Sequence, residues 1–322
     1  MTTTFNVDLN IILCMRALVT GGSGYLGSYL CKNLQQEGFK VRILDSMERQ
    51  RYCTLWNLDK DLEFYDGDIR DEKDLETCLK DIDAVFCLSD LTNAGKSFER
   101  KQTTKEINYE GVKKLFDKSV EKDVSKFVYT SSASVYGNTP EKVDESFDCN
   151  PISPYGKFKL KAEKELLAKS QEHDINATAL RLGTVYGFST GIRFDTVINY
   201  FTYLACQGKS LTVHDSALEE YRPYVNIEDV VRAYFFALEN AGSMTGEAYN
   251  VVGQNYAIED VLEVFSNIFP ETEHIVEPNP TPNKVSYRLK TSKIREKGFE
   301  SNHEMSEGIK SIKKNLNHLK SF

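Results

Sequence analysis

Short apolar runs alternate with longer amphipathic stretches along the first half of the chain. The runs have the length of buried strands, and the stretches between them place apolar residues at helical spacing. The pattern predicts strands at 17–19, 40–45, 62–65, 84–88, 127–130 and 178–182 and helices at 25–37, 98–122 and 155–171. Strands and helices that alternate at this interval are typical of an α/β fold with a doubly wound parallel sheet.

The second half of the chain is less regular. Its periodicity predicts helices at 194–207, 227–239 and 257–268, with strand-like stretches at 224–226 and 249–252. A last amphipathic helix carries Ile309, Ile312, Leu316 and Leu319 among lysines, and we expect it to dock on the core. These elements predict a smaller, mixed α/β region after the parallel sheet.

The first predicted strand ends in a glycine-rich turn that leads directly into the first helix. Glycines at 21, 24 and 27 permit a tight turn and close approach of the main chain, and the helix start offers free N–H groups and a positive dipole end. This arrangement is typical of a diphosphate site. Asp45 ends the second strand, where such folds place a carboxylate that accepts from a ribose 2′-hydroxyl; an ordinary strand-end acid is the alternative.

Composition excludes several classes of partner. The chain has 322 residues and a net charge of −8, which argues against non-specific nucleic-acid binding. No apolar run approaches the roughly 20 residues that a membrane-spanning helix needs, so we expect no membrane contact. Seven scattered cysteines in no metal-binding spacing predict reduced thiols in a cytoplasmic protein, and the five histidines form no metal-ligand pattern.

Tyr155 and Lys159 are four residues apart and therefore share one face of a predicted helix. They lie in the segment Pro-Ile-Ser-Pro-Tyr-Gly-Lys-Phe-Lys at 151–159, downstream of Ser132, which follows the fifth strand. With the glycine turn, this segment resembles the extended short-chain dehydrogenases/reductases, the NAD-dependent epimerases and dehydratases similar to UDP-glucose 4-epimerases. The resemblance covers the chain from residue 16 and includes the segments 222–229 and 288–293.

The resemblance implies a Rossmann-type NAD-binding domain over 15–183 that contains the catalytic residues. It also implies a mostly substrate-binding region over 184–322, with some segments returning to the first domain. Implied cofactor contacts are Gly21, Gly24, Tyr25, Leu26, Gly27, Asp45, Asp68, Ile69, Leu88, Asn108, Tyr155 and Lys159. Implied contacts to a nucleotide-diphosphate sugar are Ser132, Thr184, Arg222 and Arg288. Structural roles for the two arginines and for Asn108 stay open, and we expect residues 1–14 to be an extension outside the fold.

The implied catalytic residues are Ser132, Tyr155 and Lys159. A tyrosine hydroxyl has a pKa near 10, and a neighbouring ammonium group favours its ionised form. Tyr155 is expected to exchange a proton with a substrate hydroxyl while hydride passes to or from the nicotinamide. Lys159 would support the phenolate and hold the nicotinamide ribose, and Ser132 would donate a hydrogen bond to the substrate oxygen.

The two residues after Ser132 limit the reaction type. The resemblance implies that sugar 4,6-dehydratases carry an Asp-Glu pair, and nucleotide-sugar decarboxylases a glutamate, directly after the catalytic serine or threonine. Here these positions are Ala133 and Ser134, which neither donate nor accept a proton at neutral pH, so elimination of water would lack its acid and base. We therefore expect a nucleotide-sugar 4-epimerase that oxidises the sugar transiently to a 4-keto form. An NAD(P)H-dependent keto-sugar reductase or dehydrogenase would use the same residues and stays open, whereas the intact trio argues against a non-catalytic NAD-binding regulatory protein.

Three positions depart from the resemblance. Asp90 follows the fourth strand where relatives have a small residue, Thr184 replaces an asparagine, and Thr291 replaces an aspartate. These departures leave the nucleotide and the sugar open. The helices at 98–122 and 155–171 carry more apolar positions than one sheet face needs, and relatives pair through them, so we expect a homodimer.

Overall fold

The computed structural model describes residues 15–48, 51–56, 58–139, 141–278 and 285–316. The predicted extension at 1–14 and the predicted helix position Leu319 lie outside these residues. The described chain forms two compact units. The first holds the described residues up to Ser131 together with Ser153–Leu180 and Tyr234–Ala248; the second holds Ser132–Ile152, Arg181–Ala233 and the described residues from Tyr249 onward.

Fourteen strands occur in the described residues. They are β1 (Arg16–Thr20), β2 (Lys40–Asp45), β3 (Glu63–Asp66), β4 (Ala84–Cys87), β5 (Lys126–Ser132), β6 (Lys142–Val143), β7 (Asn176–Leu182), β8 (Thr184–Tyr186), β9 (Leu211–His214), β10 (Arg222–Asn226), β11 (Glu247–Val251), β12 (Gln254–Tyr256), β13 (His274–Glu277) and β14 (Arg288–Leu289). Seven of them form one sheet in the order β3-β2-β1-β4-β5-β7-β11. The pairs of β1 with β2 and β4, of β2 with β3, and of β4 with β5 are parallel. The predicted doubly wound α/β fold of the Rossmann type is confirmed.

Eleven α-helices accompany the strands in the described chain. They are α1 (Tyr25–Gln36), α2 (Glu72–Cys78), α3 (Lys101–Lys105), α4 (Val112–Glu121), α5 (Pro154–Ser170), α6 (Val197–Cys206), α7 (Ile227–Glu239), α8 (Ala241–Met244), α9 (Ile258–Ile268), α10 (Ser292–Glu296) and α11 (Met305–Leu316). Helix α5 begins where its sequence signals a start: the Ser153 hydroxyl accepts from the Gly156 N–H at 3.1 Å, and Pro154 occupies the first turn.

The predicted helix over 98–122 is confirmed from Lys101 to Glu121, with a π-helical turn in its middle. Helix α3 begins only at Lys101, and a π-helical turn over Glu106–Gly111 separates it from α4. A π turn adds a residue to the helical repeat and so rotates the side chains that follow it. Asn108 and Gly111 are both buried in this turn. Hydrophobic periodicity does not predict the burial of an asparagine.

The first unit is built on strands that are apolar on both faces. Leu18, Val85 and Phe127 come from three neighbouring strands and are fully buried in one cluster. The Phe116 ring of α4 meets the Phe127 ring edge-on, with the centroids 5.1 Å apart. Burial on both faces explains why these strands appear in the sequence as continuous apolar runs rather than alternating ones.

The second unit contains three small sheets, ordered β12-β10-β8, β13-β9 and β14-β6. Most of these strands have two to four residues, too few for periodicity to reveal. Its own apolar cluster joins α6, α9 and α11, with the Phe201 and Phe265 rings edge-on at 5.9 Å. Ile309 and Ile312 are fully buried on α11. None of the helices described combines the length and apolar character required to cross a bilayer.

Candidate active site

Two positions of the glycine-rich turn between β1 and α1 accept no residue other than glycine. Gly21 has φ +71° and donates its N–H to the Leu44 carbonyl at 2.9 Å. A Cβ on Gly21 would lie 2.9 Å from the Leu88 carbonyl, and a Cβ on Gly27 would lie 2.2 Å from the Gly21 carbonyl oxygen. Because neither approach leaves room for a methyl group, the turn packs tightly between β1, β4 and α1.

The start of α1 suits an anionic ligand. Its N-cap residue, Gly24, provides no side-chain hydrogen bond, and its first turn carries no acidic residue. The first N–H groups of a helix then need an outside partner, and the dipole favours a negative one. Tyr25 is buried and Leu26 half-buried at this end. These residues therefore fit the diphosphate of a dinucleotide.

Asp45 is held beside this turn by main-chain donors. One carboxylate oxygen accepts from Ser23 N–H and the other from Met47 N–H, each at 3.0 Å. The contact to Ser23 ties the end of β2 to the glycine turn. The side chain keeps further lone pairs, since each carboxylate oxygen can accept two hydrogen bonds. A ribose hydroxyl can therefore still be accepted there.

Asp68 and Ile69 follow β3 and have partners within the first unit. Partial burial acts against ionisation of Asp68, but hydrogen bonds and the charge of Arg70 prevail, so the pKa of Asp68 lies below its usual value. The Arg70 guanidinium reaches the carboxylate at 2.6 Å. Ile69 is 3% exposed and packs in the apolar cluster, close to Gly111. Their contact to the cofactor stays a prediction.

The chain after β4 is fixed from two sides. The Leu88 N–H donates to the Thr20 carbonyl at 3.1 Å, beside the glycine turn. Three residues on, the Leu91 N–H donates to the Asn108 side-chain oxygen at 2.9 Å, and the Asn108 amide donates back to the Leu91 carbonyl at 3.3 Å. Asn108 therefore holds the strand-end loop, and a direct contact of its side chain to a cofactor stays a prediction.

Tyr155 and Lys159 lie on the first turns of α5 and meet an unexpected third group. The Tyr155 hydroxyl donates to Asp90 Oδ2 at 3.1 Å, and Lys159 Nζ lies 3.3 Å from the same oxygen. The side chains of Lys159 and Asp90 are only 1% and 7% exposed. The sequence pattern predicts the tyrosine–lysine pair, whereas the signal for Asp90 is only an acid at a strand end.

A second tyrosine, Tyr129 of β5, packs against the ammonium group of Lys159. Lys159 Nζ lies 4.3 Å from the centre of its ring, and its hydroxyl donates to the Lys159 carbonyl at 3.5 Å. Burial, followed by the charge of Asp90, raises the pKa of Tyr129 well above its usual value. Tyr129 therefore stays protonated, and Tyr155 is the tyrosine of this cluster placed to exchange a proton.

The predicted substrate residues belong to the second unit. Ser132 ends β5, and its hydroxyl accepts from the Ser134 N–H at 3.2 Å, which caps the short 3₁₀ turn Ala133–Val135. The Ser132 and Ser134 hydroxyl oxygens lie 3.0 Å apart. Thr184 lies at the start of β8, opposite Tyr224 of β10. Their contacts to a substrate stay predictions.

The second unit brings the two predicted substrate arginines together. The Tyr287 N–H donates to the Tyr221 carbonyl at 3.1 Å, which sets the two arginines that follow side by side. The Arg222 guanidinium lies 5.5 Å from the centre of the Tyr287 ring, and that of Arg288 lies 4.7 Å from the Tyr221 ring. Arg222 also pairs with Glu220 at 3.3 Å. Two guanidinium groups held on aromatic rings suit a diphosphate.

In the parts of the chain that the structure covers, no group of three or more histidine, cysteine or acidic side chains could hold a metal ion.

Comparison with known proteins places these features in a family. Residues 17–252 match the model of the NAD dependent epimerase/dehydratase family. A UDP-glucose 4-epimerase of Halalkalibacterium halodurans is 27% identical over 270 residues, 78% of this chain and 79% of that protein. A human dTDP-D-glucose 4,6-dehydratase is 28% identical over 315 residues, 92% of this chain and 86% of that protein.

A solved structure agrees with these matches. The UDP-glucose 4-epimerase of Thermotoga maritima, crystallised with UDP-glucose, superposes with a TM-score of 0.84 at 27% identity, over 95% of this chain and all of that one. The matches confirm the family resemblance, the fold and NAD as the cofactor that the motifs predict.

Proposed function

The chain belongs to the NAD-dependent epimerase/dehydratase family, and we propose that it is an NAD-dependent 4-epimerase of UDP-sugars. One observation carries this proposal. A complete proton-exchange site, Tyr155 with Lys159, is assembled on α5, whereas the residues after Ser132 provide neither an acid nor a base. A site with this content can oxidise and reduce a carbinol, and it lacks the groups for elimination.

Each side chain has a separable task in this reaction. Bound NAD supplies a reversible two-electron acceptor. Tyr155 takes the proton of the sugar 4-hydroxyl as the carbonyl forms and returns it when the alcohol is restored. The positive charge of Lys159 offsets the negative charge of the nearby Asp90 carboxylate and so assists loss of the Tyr155 proton, and its ammonium group packs against the ring of Tyr129. Ser132 would donate to the sugar oxygen.

The relatives make dehydration the competing activity, because one of them is a dTDP-D-glucose 4,6-dehydratase. Elimination across two carbons needs an acid for the leaving hydroxyl and a base for the departing proton. Ala133 is an apolar residue, 2% exposed. The Ser134 hydroxyl is engaged with Ser132, and a serine does not ionise near neutral pH.

The test is the product of the purified protein with NAD. We expect UDP-glucose to be converted to its C4 epimer, followed by proton NMR, with no net rise of absorbance from NADH. Tyr155→Phe serves as the inactive control. Accumulation of a 4-keto-6-deoxy sugar from UDP-glucose or dTDP-glucose would show a dehydratase instead. Stoichiometric oxidation of NADPH with a keto sugar would show a reductase.

We also propose a cellular location and an oligomeric state for the protein. The six described cysteines are free thiols, and three of them are buried, which supports a reducing compartment and hence the cytoplasm. We also propose a homodimer, and its test is given below.

A further inference from the structure

Asp90 is a buried carboxylate in the loop that follows β4, and its contribution to stability does not explain its presence. Its side chain is 7% exposed and faces Lys159, which is 1% exposed. Removing a buried charge pair from water costs about as much as the pair regains, and apolar residues of the same size commonly serve as well. The presence of a buried acid at this position therefore needs an explanation other than the stability of the ion pair.

One oxygen of the carboxylate is fully used. Asp90 Oδ2 accepts from the Tyr155 hydroxyl at 3.1 Å and lies 3.3 Å from Lys159 Nζ. These two contacts hold the hydroxyl and the ammonium group on one oxygen atom, so Asp90 positions both members of the pair. They leave the other oxygen without a hydrogen bond to either member of the pair.

That other oxygen, Oδ1, is buried and has no hydrogen-bond partner among the described residues. An unsatisfied buried acceptor destabilises the fold, and more strongly when it is charged. Buried polar atoms that lack a partner are rare in native proteins and need an explanation. A donor that arrives with a ligand removes the cost only when the ligand is bound.

The position of Asp90 in the chain indicates which ligand. Asp90 lies between Leu88, whose carbonyl closes on Gly21 of the diphosphate-binding turn, and Leu91, which Asn108 holds. Asp90, Tyr155, Lys159 and the glycine turn all belong to the first unit, whereas the predicted sugar ligands belong to the second. A dinucleotide that binds the turn carries two riboses, and each ribose presents hydroxyl donors.

We propose that Asp90 is a cofactor-binding residue whose Oδ1 accepts a hydrogen bond from a hydroxyl of the ribose that carries the nicotinamide. Asp90 Oδ2 meanwhile positions Tyr155 and Lys159. The inference rests on NAD as the cofactor. A ligand that contains the second ribose gains the contact with Asp90, and a ligand without it does not.

The experiment compares three ligands on the cofactor-free protein by calorimetry: NAD, ADP-ribose and ADP. ADP-ribose keeps the second ribose, and ADP lacks it. For Asp90→Ala we expect about tenfold weaker binding of NAD and ADP-ribose, the usual effect of one charge-assisted hydrogen bond. Binding of ADP should be unchanged or tighter, because a negative charge has been removed near an anionic ligand. Asp117→Ala, which removes the partly exposed pair of Asp117 with Lys169 in the same unit, should leave all three affinities unchanged.

Each other pattern overturns the proposal. Equal weakening of all three ligands would mean that the variant disturbs the fold, and unchanged or tighter binding of all three would mean that Asp90 only neutralises Lys159. A loss confined to the UDP-sugar on the NAD-loaded protein would assign Oδ1 to the substrate. Should Asp90→Ala fail to fold, Asp90→Asn decides by the same pattern with a smaller loss. Wild-type protein that binds none of the three would instead refute NAD as the cofactor.

Discussion

The side chain of Asn108 binds both polar groups of the Leu91 main chain, accepting from the N–H at 2.9 Å and donating to the carbonyl at 3.3 Å. Asn108 lies in the π-helical turn, is fully buried and stands 17 residues away along the chain. Leu91 directly follows Asp90, so this paired contact fixes the loop from which Asp90 reaches Tyr155 and Lys159.

Truncation of Asn108 should therefore cost both stability and cofactor affinity. Asn108→Ala removes two hydrogen bonds and leaves the partly buried N–H and carbonyl of Leu91 without the partners they have in the wild-type protein, and we expect a loss of about 2 kcal/mol in the free energy of unfolding. Urea denaturation measures it. The control is Asn33→Ala, which removes one partly buried bond to the Tyr29 carbonyl. A loss no larger than that of the control would contradict the role of Asn108.

Tyr155→Phe should keep the fold and NAD binding but lower turnover at least about 100-fold, because only the ionisable oxygen is removed. The epimerisation rate and the NAD dissociation constant are measured together. The matched control is Tyr109→Phe. It removes a hydroxyl of the π-helical turn that donates to Glu165 of α5, the helix of Tyr155, at 2.8 Å. Turnover of Tyr155→Phe at the wild-type rate would contradict the proposed mechanism.

Asp45 should make the protein prefer NAD to NADP. Its carboxylate, held by the N–H groups of Ser23 and Met47, accepts from a free 2′-hydroxyl and repels a 2′-phosphate. We expect at least about tenfold tighter binding of NAD than of NADP. Asp45→Asn should reduce this difference, whereas Asp174→Asn, in the exposed turn before β7, should leave it unchanged. Equal affinities of the wild-type protein for the two cofactors would refute this assignment.

His303 should make stability fall as the pH rises above neutrality. Hydrogen bonds from its ring to Asp229 and Glu228, at 2.9 and 3.1 Å, raise its pKa to about 10. The folded protein then holds a proton that the unfolded chain releases near pH 6.5. The stabilisation is complete below about pH 6.5 and is lost as the pH approaches 10.

The measurement is the melting temperature from pH 6 to pH 10. His303→Gln should lower the melting temperature at pH 6 and flatten the decline, whereas the exposed His173→Gln should follow the wild-type curve. Superimposed curves for wild type and His303→Gln would show that the ion pairs of His303 contribute nothing to stability.

The homodimer is tested by light scattering. We expect a mass about twice the 36.7 kDa of one chain. The two helical segments predicted to pair are in contact within one chain, where Tyr109 of the π-helical turn donates to Glu165 of α5. Phe98, next to α3, is 58% exposed. Phe98→Glu should weaken the dimer, whereas Tyr200→Glu on α6 should not. A mass of one chain at every concentration would end the proposal.

The amino-acid sequence predicts the parts of the site that depend on neighbours in the chain. Gly21 and Gly27 are recognisable because the positive φ and the close approach of the turn exclude other residues there. Tyr155 and Lys159 are recognisable because a spacing of four puts them on one helix face. Long apolar runs likewise reveal strands that are buried on both sides.

The sequence could not predict the contacts that join distant segments. Asp90 and Tyr155 are 65 residues apart, and nothing in the local pattern tells that the end of β4 lies beside the start of α5. The π-helical turn that buries Asn108 interrupts a stretch with ordinary helical periodicity. The short strands of the second unit are paired by tertiary packing rather than by their own propensity.

The family, the parallel sheet, the glycine turn and the tyrosine–lysine pair can be predicted from the amino-acid sequence, because each depends on local geometry or on periodic burial. The partners of the charged groups are known only from the folded chain: Asp90 with Tyr155 and Lys159, Asp68 with Arg70, and Arg222 with Glu220. Arg70 and Arg222 stand two residues from their partners, yet spacing alone does not show which carboxylate a guanidinium selects. The partnering depends on burial and on which chain segments the sheet brings together, and a one-dimensional pattern holds neither.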